Sequence, residues 1–172
     1  MAGASHLVKR FFGSVVPRGP RPEDEAWARA NLLDEEAEIW GRMSRQDRRH
    51  AAGVARRIER ALGAEATRPV LAAALLHDCG KTASGLGTYG RVIATLSVKL
   101  AGPEIAVAWS ETRGFTRRVG LYVEHPRLGA DLLGLAGSAP LTVAWTAEHH
   151  LPPEDWTVPR HIGEALKAAD DD

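Results

Sequence analysis

A chain of 172 residues with 44 % hydrophobic content fits one domain with a sizeable core and leaves little room for a second. Its 22 Lys and Arg balance 22 Asp and Glu, so the overall charge gives no reason to expect a nucleic-acid polymer or an anionic membrane as partner. Cys79 is the single cysteine, which excludes an intramolecular disulfide and fits a reducing cytoplasm.

Met1 to Val16 carries Lys9-Arg10-Phe11-Phe12 but only Val15-Val16 ahead of Pro17. That is far short of an apolar signal core or of a span of about 20 residues, so no export signal and no transmembrane segment are expected. Pro17, Pro20 and Pro22 make a stiff, non-helical lead, because proline fixes φ and disfavours helix in the residue before it. Residues 1–22 therefore read as a tail, and residues 23–172 as one domain.

From Glu23 an acidic first turn precedes Trp27, Ala30, Leu33, Ala37 and Trp40, spaced by three and four, which predicts one amphipathic helix ending near Gly41. Ser44 with Asp47 three residues on resembles a capping box, and Leu62-Gly63 supplies a helix stop. Pro69 can open a third helix, and the apolar run Val70 to Leu76 must be buried before it reaches His77. Gly80, Gly85, Gly87 and Gly90 then predict a loop. Further helices are expected over 91–101, 103–109, 115–124, 125–136, 140–150 and 160–169. Without alternating β-branched runs, the architecture reads as an all-α helical bundle.

On these helices or at their ends lie His50, His77, Asp78, His125, His149, His150 and, past the apolar positions Ile162, Leu166 and Ala169, Asp170. Imidazole nitrogens and carboxylates together suit Mn, Fe, Ni, Zn or Mg. Any one of these residues, taken alone, is an ordinary hydrogen-bonded side chain. Burying several imidazoles and two carboxylates without partners costs several kcal/mol apiece, roughly, so a shared cation is expected if they converge.

His50, then His77-Asp78, then Asp170 resemble the H, HD, D pattern of the HD superfamily of metal-dependent phosphohydrolases. The likeness runs from Arg42 to Asp170. His77-Asp78-Cys79-Gly80-Lys81 also fits the HDxGK form, and His125 with His149-His150 stands where dinuclear members carry additional histidines. The resemblance implies an HD-domain fold in which His50, His77, Asp78 and Asp170 hold one metal. Asp78 would bridge to a second, held by His125 and by His149 or His150. Successive helix positions diverge by about 100°, which makes it hard for both adjacent histidines to point at one metal, although a helix end or a wide site permits both to contribute.

The reaction implied is hydrolysis of a phosphoester, on a nucleotide or dinucleotide, by metal-activated water. Asp78 and Lys81 would be its catalytic residues, Lys81 holding a phosphate oxygen or protonating the leaving oxygen. Arg48 and Arg49, just before His50, are candidates for clamping further phosphates, since a guanidinium pairs with two oxygens at once. The glycine loop lacks the GxxxxGK[ST] form and follows no strand, so a turn explains it as readily as a phosphate cradle. Cys79 reads as a buried structural thiol, and four of the five tryptophans as core, with Trp156 in a proline-rich lip.

Glu148-His149-His150 together with HDxGK is similar to the HD-GYP cyclic-dinucleotide phosphodiesterases. Leu151-Pro152-Pro153-Glu154-Asp155-Trp156 stands where the GYP element belongs, and the interval from His77 to His125 is long for that group. HD-type diadenosine tetraphosphate hydrolases and nucleotidases share a similar ligand set, which leaves a small phosphorylated substrate of open identity. Two other classes fit the same residues: a di-iron oxygenase resembling myo-inositol oxygenase, and a non-catalytic nucleotide-binding regulatory module.

Overall fold

A computed structural model of the chain describes residues 18–102 and 108–172. The tail with Phe11 and Phe12, and most of the helix expected over 103–109, lie outside these residues. Nine α-helices and no strand occur among the described residues, and the fold is an all-α bundle. None of these helices is long and apolar enough to cross a membrane.

The helix expected from Glu23 to Gly41 is two: α1, Pro22–Ala30, and α2, Asp34–Arg42. Pro22 belongs to α1, where its missing N–H costs nothing in the first turn. The break comes from side chains that take over backbone groups. Asn31 Nδ2 donates to the Trp27 carbonyl at 2.9 Å, and Glu36 Oε2 accepts from the Leu33 N–H at 2.8 Å and starts the next helix. Of the spaced apolar positions Trp40 is fully buried and Trp27, Leu33 and Ala37 are half-buried, while Ala30 is exposed and Ala28, outside the spacing, is fully buried.

Ser44 caps α3, Arg45–Leu62, as expected: its Oγ accepts from the Asp47 N–H at 3.1 Å and donates to Asp47 Oδ2 at 2.7 Å. Gly63, at φ +53°, ends the helix. Next comes α4, Arg68–Leu76, in which Val70 to Leu76 are all buried. A helix apolar all round has to sit at the centre, and α4 is packed by α2, α3 and, further along the chain, α8, Pro140–Glu148.

After Asp78 the expected loop is a 3-10 helix, Cys79–Ser84, closed by Gly85 at φ +57°. Ser84 Oγ donates to the Lys81 carbonyl at 2.8 Å and accepts from the Leu86 N–H at 3.2 Å, and the Ser84, Gly85 and Leu86 carbonyls accept from Arg118 and Arg91, so the glycine-rich stretch is a turn held by protein side chains. It leads into α5, Thr88–Ala101. A short turn, Trp109–Glu111, precedes α6, Gly114–Val123, and α7, His125–Leu135. The chain closes with α9, Arg160–Asp171.

Two apolar clusters result. The larger gathers the inner faces of α1 to α4, α8 and α9 around Trp40, Leu75, Trp145 and Leu166, and the smaller joins Leu86, Ala94 and Val119. The Cys79–Ser84 turn packs against both α6 and α7 and so links the two. Trp27 is half-buried beneath Arg56, 3.8 Å above its ring. Trp156 meets Trp145 edge to face at 5.4 Å and donates to the Leu151 carbonyl, so the lip tryptophan is anchored to the core.

Candidate metal centre

Three helices end at the same place, and each ends in a histidine. His77 follows α4, His125 follows α6 as the first residue of α7, and His149 follows α8. In each, Nδ1 donates to the carbonyl three residues back: His77 to Ala74 at 2.9 Å, His125 to Tyr122 at 2.7 Å, His149 to Thr146 at 2.9 Å. The last carbonyls of a helix lack intrahelical partners, and here the imidazoles satisfy one in each helix. A carbonyl can only accept, so Nδ1 carries a proton and, in the neutral form of the ring, Nε2 presents a lone pair. All three residues are buried, and their Nε2 atoms have no hydrogen-bond partner.

Asp78 lies among these atoms and divides them. Its Oδ1 is 3.3 Å from His125 Nε2 and 3.8 Å from His149 Nε2, while Oδ2 is 3.5 Å from His77 Nε2. Lys81 Nζ pairs with the same Oδ2. On the far side, Asp170 Oδ1 is 2.7 Å from His50 Nε2 and 3.6 Å from His77 Nε2. Arg57, one helix away on α3, donates to the Ala169 carbonyl at 2.9 Å and fixes the end of α9 that carries Asp170. Asp171, by contrast, is exposed and pairs with Lys167.

Two sets of ligand atoms emerge. Those of His50, His77 and Asp78 lie within 4.8 Å of one another, and so do those of His125, His149 and His150. Small rotations close such sets onto bonds of about 2.0–2.2 Å to a divalent ion. Both adjacent histidines have ligand atoms in the second set. His149 is the C-cap of α8, its N–H bonded to the Trp145 carbonyl at 2.9 Å, and its ring stands 4.0 Å from that of His150. Buried Glu148 secures this ending by accepting from the Thr157 N–H at 2.8 Å and its hydroxyl at 2.6 Å.

The electrostatics match a cation site. Burial tends to raise the Asp78 pKa, but Lys81, His77 and His125 hold it well below the usual range. Asp170 likewise overcomes its desolvation through His50 and His77 and is strongly lowered. Burial and the neighbouring His77 and His150 push His149 down to about 2, and desolvation with His125 takes the exposed His150 to about 4. For His77 burial acts downward, yet Asp78 and Asp170 outweigh it and raise the pKa. The C-termini of α4 and α8 add partial negative charge of about half a unit each there, while at Glu124 and His125 the C-terminus of α6 meets the N-terminus of α7 and the two offset.

A pH dependence follows. Metal binding has to displace a proton held by His77, whose pKa is raised by Asp78 and Asp170, so affinity is expected to rise with pH from the ordinary imidazole range up to that raised value. One proton released corresponds to about tenfold per pH unit at the acid end of that window. His149, lowered to about 2, stays neutral throughout and contributes nothing there. Titration calorimetry in two buffers of different ionisation enthalpy reads the released proton, and a flat profile with no release would contradict the assignment.

Among the other expected site residues, Arg48 Nη1 pairs with the Glu25 carboxylate at 3.0 and 3.1 Å, and Arg49 is exposed. Cys79 is buried with its thiol pushed up to about 12 by burial and Asp78, as a structural thiol should be. His161 is exposed beside Glu65, and His6 lies outside the described residues. Residues that sequence reasoning did not single out also border the site: Arg57, Arg91 and Tyr122, whose ring is 5.7 Å from that of His125. The partners of Arg57 and Arg91, Ala169 and Asp47, lie far along the chain, and no local pattern marks them.

The molecule is thus a helical protein with buried histidine and aspartate groups that can hold metal, an arrangement compatible with an HD-type domain. Comparison with protein-family models, with curated proteins and with solved structures gave no significant match.

Proposed function

We propose that this protein is an HD-type, metal-dependent phosphohydrolase acting on a nucleotide or dinucleotide. The observation that carries the reading is the trio of buried imidazoles, each with Nδ1 tied to a carbonyl and Nε2 unpartnered, arranged about the two oxygens of one carboxylate. An outer hydrogen bond that fixes the tautomer is the usual support of a metal-binding histidine. His50, His77, Asp78 and Asp170 would hold one ion, and His125, His149 and His150 the other, with Asp78 shared between them.

Divalent ions there supply a water of lowered pKa and neutralise charge on the phosphoryl oxygens. Lys81, half-buried three residues after Asp78, holds a phosphate oxygen or gives a proton to the leaving oxygen. Its ammonium stays charged, because the adjacent Asp78 outweighs its desolvation and raises its pKa. With nitrogen and oxygen ligands only, Mn, Fe, Ni, Zn and Mg are the candidates. Residues 23–172 act as the single HD domain, and the lone buried cysteine suits a reducing cytoplasm.

Stripped protein supplied with each of the five metals provides the test. A bound ion at about 100 times its Kd should stabilise the fold by about 2.7 kcal/mol. For a chain of this size that is a rise in Tm of about 5–10 °C. The loaded protein should then turn over members of a phosphoester panel. Wild-type protein that binds none of these metals would sink the proposal, and oxygen consumption by the iron form without phosphoester turnover would replace it with an oxygenase.

A further inference from the structure

The two ligand sets differ in chemistry as well as in place. His125, His149 and His150 bring three imidazoles within 4.8 Å of one another and no carboxylate of their own. The oxygen that reaches them is Asp78 Oδ1, 3.3 Å from His125 Nε2 and 3.8 Å from His149 Nε2. On the other side His50 and His77 stand with two carboxylates. Asp78 Oδ2 is 3.5 Å from His77 Nε2, and Asp170 Oδ1 is 2.7 Å from His50 Nε2 and 3.6 Å from His77 Nε2. One set thus offers two nitrogens and two oxygens, the other three nitrogens and one shared oxygen.

Their hydrogen bonding differs too. His50 Nε2 is bonded to Asp170, so part of the carboxylate-bearing set is satisfied by the protein alone. In the three-imidazole set, Nε2 of His125 and of His149 are buried without a partner, each aimed by the bond from Nδ1 to a carbonyl of the helix it ends. The third member, His150, is exposed, with its ring 4.0 Å from that of His149 and 5.2 Å from that of His125. The three-imidazole set therefore has two nitrogens fixed inside the bundle and opens to solvent at the third.

We infer that the centre is heterometallic: His125, His149 and His150 select a borderline ion of the zinc class, while His50, His77 and Asp170 take a hard ion of the manganese or magnesium class, with Asp78 between them. This rests on the two-ion centre of the phosphohydrolase reading, and not on its reaction. Three protein ligands with a fourth position open to water suit Zn, and imidazole in general favours Zn, Fe and Ni. Mn and Mg draw their affinity from oxygen ligands, and the His50 side has two carboxylates where the other shares one. Zn outcompetes Mn at most nitrogen and oxygen sites, so the sorting is read with Zn limiting, when a single ion takes the set it prefers.

Metal-free full chain given one equivalent of Zn and an excess of Mn tests this without requiring turnover. Ultrafiltration with elemental analysis counts the bound ions, and Zn K-edge X-ray absorption counts the imidazoles on Zn. Wild-type protein should hold one Zn and one Mn, with three imidazoles on the Zn. His150→Ala removes an exposed ligand at little risk to the fold. Loss of a supporting group typically costs 10- to 100-fold, so this loss of a direct ligand should weaken Zn by at least about tenfold, in competition with a chelator, and lower the imidazole count to two. Asp170→Asn keeps the side-chain shape and an oxygen for His50; checked for folding by thermal melting, it should lose Mn and keep Zn on three imidazoles. Two imidazoles on Zn in wild type, Zn lost with Asp170 and kept with His150→Ala, or no bound metal overturns the inference. Ions sorted in this way in a chain that hydrolyses no phosphoester keep the inference and defeat the phosphohydrolase reading. Phosphoester hydrolysis with the ions unsorted does the reverse.

Discussion

Asp78→Ala is expected to abolish metal binding and phosphoester hydrolysis together. The two oxygens of Asp78 face separate nitrogen groups, Oδ1 toward His125 and His149 and Oδ2 toward His77, so one substitution removes a ligand from both ion positions. Loss of a supporting outer-shell group typically costs 10- to 100-fold in affinity, and loss of a shared direct ligand should exceed about 100-fold. The variant also strands Lys81, whose ammonium pairs with the same carboxylate, and breaking a buried pair from one side costs about 3–5 kcal/mol. Asp78→Asn separates these effects, since it keeps an oxygen acceptor for Lys81 while losing the charge. Folded Asp78→Asn protein with no bound metal, by elemental analysis, and no turnover is the expected result. Activity that survives either substitution unchanged would place the hydrolysis elsewhere or in a contaminant.

Gly80→Ala should unfold or severely loosen the region around the centre, although it adds only a methyl group. A Cβ at residue 80 would lie 2.0 Å from the His125 carbonyl oxygen, 2.6 Å from the Gly129 nitrogen and 2.9 Å from the His125 carbonyl carbon. All three are backbone atoms of α7, so no side-chain rotation relieves the clash. Overpacking ordinarily costs about 1–3 kcal/mol, and a contact this short against backbone should reach the top of that range or pass it. For a chain of this length about 3 kcal/mol lowers Tm by roughly 6–12 °C. Two of the three displaced atoms belong to His125 itself, so the second ion should be lost before global unfolding. Gly134→Ala, on the same helix with nothing within 4 Å of its added Cβ, is the control, and it should be neutral or stabilising by up to about 1 kcal/mol. Equal melting temperatures for the two variants would show that α7 can retreat from the turn.

These two residues illustrate how differently parts of the molecule could be read from the chain. The glycine after His77-Asp78-Cys79 is visible as a pattern element, but its reason is tertiary: α7, starting 45 residues later, presses its first turn against residue 80. Helix ends governed by neighbours in sequence were legible, as at Ser44 and Gly63, because a cap and a glycine stop act within a few residues. The central burial of α4 was equally plain from seven consecutive apolar positions, Val70 to Leu76. The break between α1 and α2 was hidden, since apolar spacing records which side faces the core and says nothing of the Asn31 and Glu36 side chains that interrupt the backbone ladder.

For the candidate site, the residue types and their order, together with a family resemblance, picked out His50, His77, Asp78, His125, His149, His150 and Asp170 in advance. Their convergence required the packed bundle. So did the particulars: Asp170 rather than Asp171 meets His50, both adjacent histidines at the end of α8 reach one set, and Arg48 turns to Glu25. The Asp47–Arg91 clamp joins residues 44 apart and has no local signature at all. What the sequence by itself determined was therefore the helical class, the local caps and the chemical inventory, all set by short-range propensity and side-chain chemistry. The tertiary structure decided which of those groups share a cation-sized space, because that depends on where the ends of α4, α6, α8 and α9 stop against one another, over separations no local rule spans.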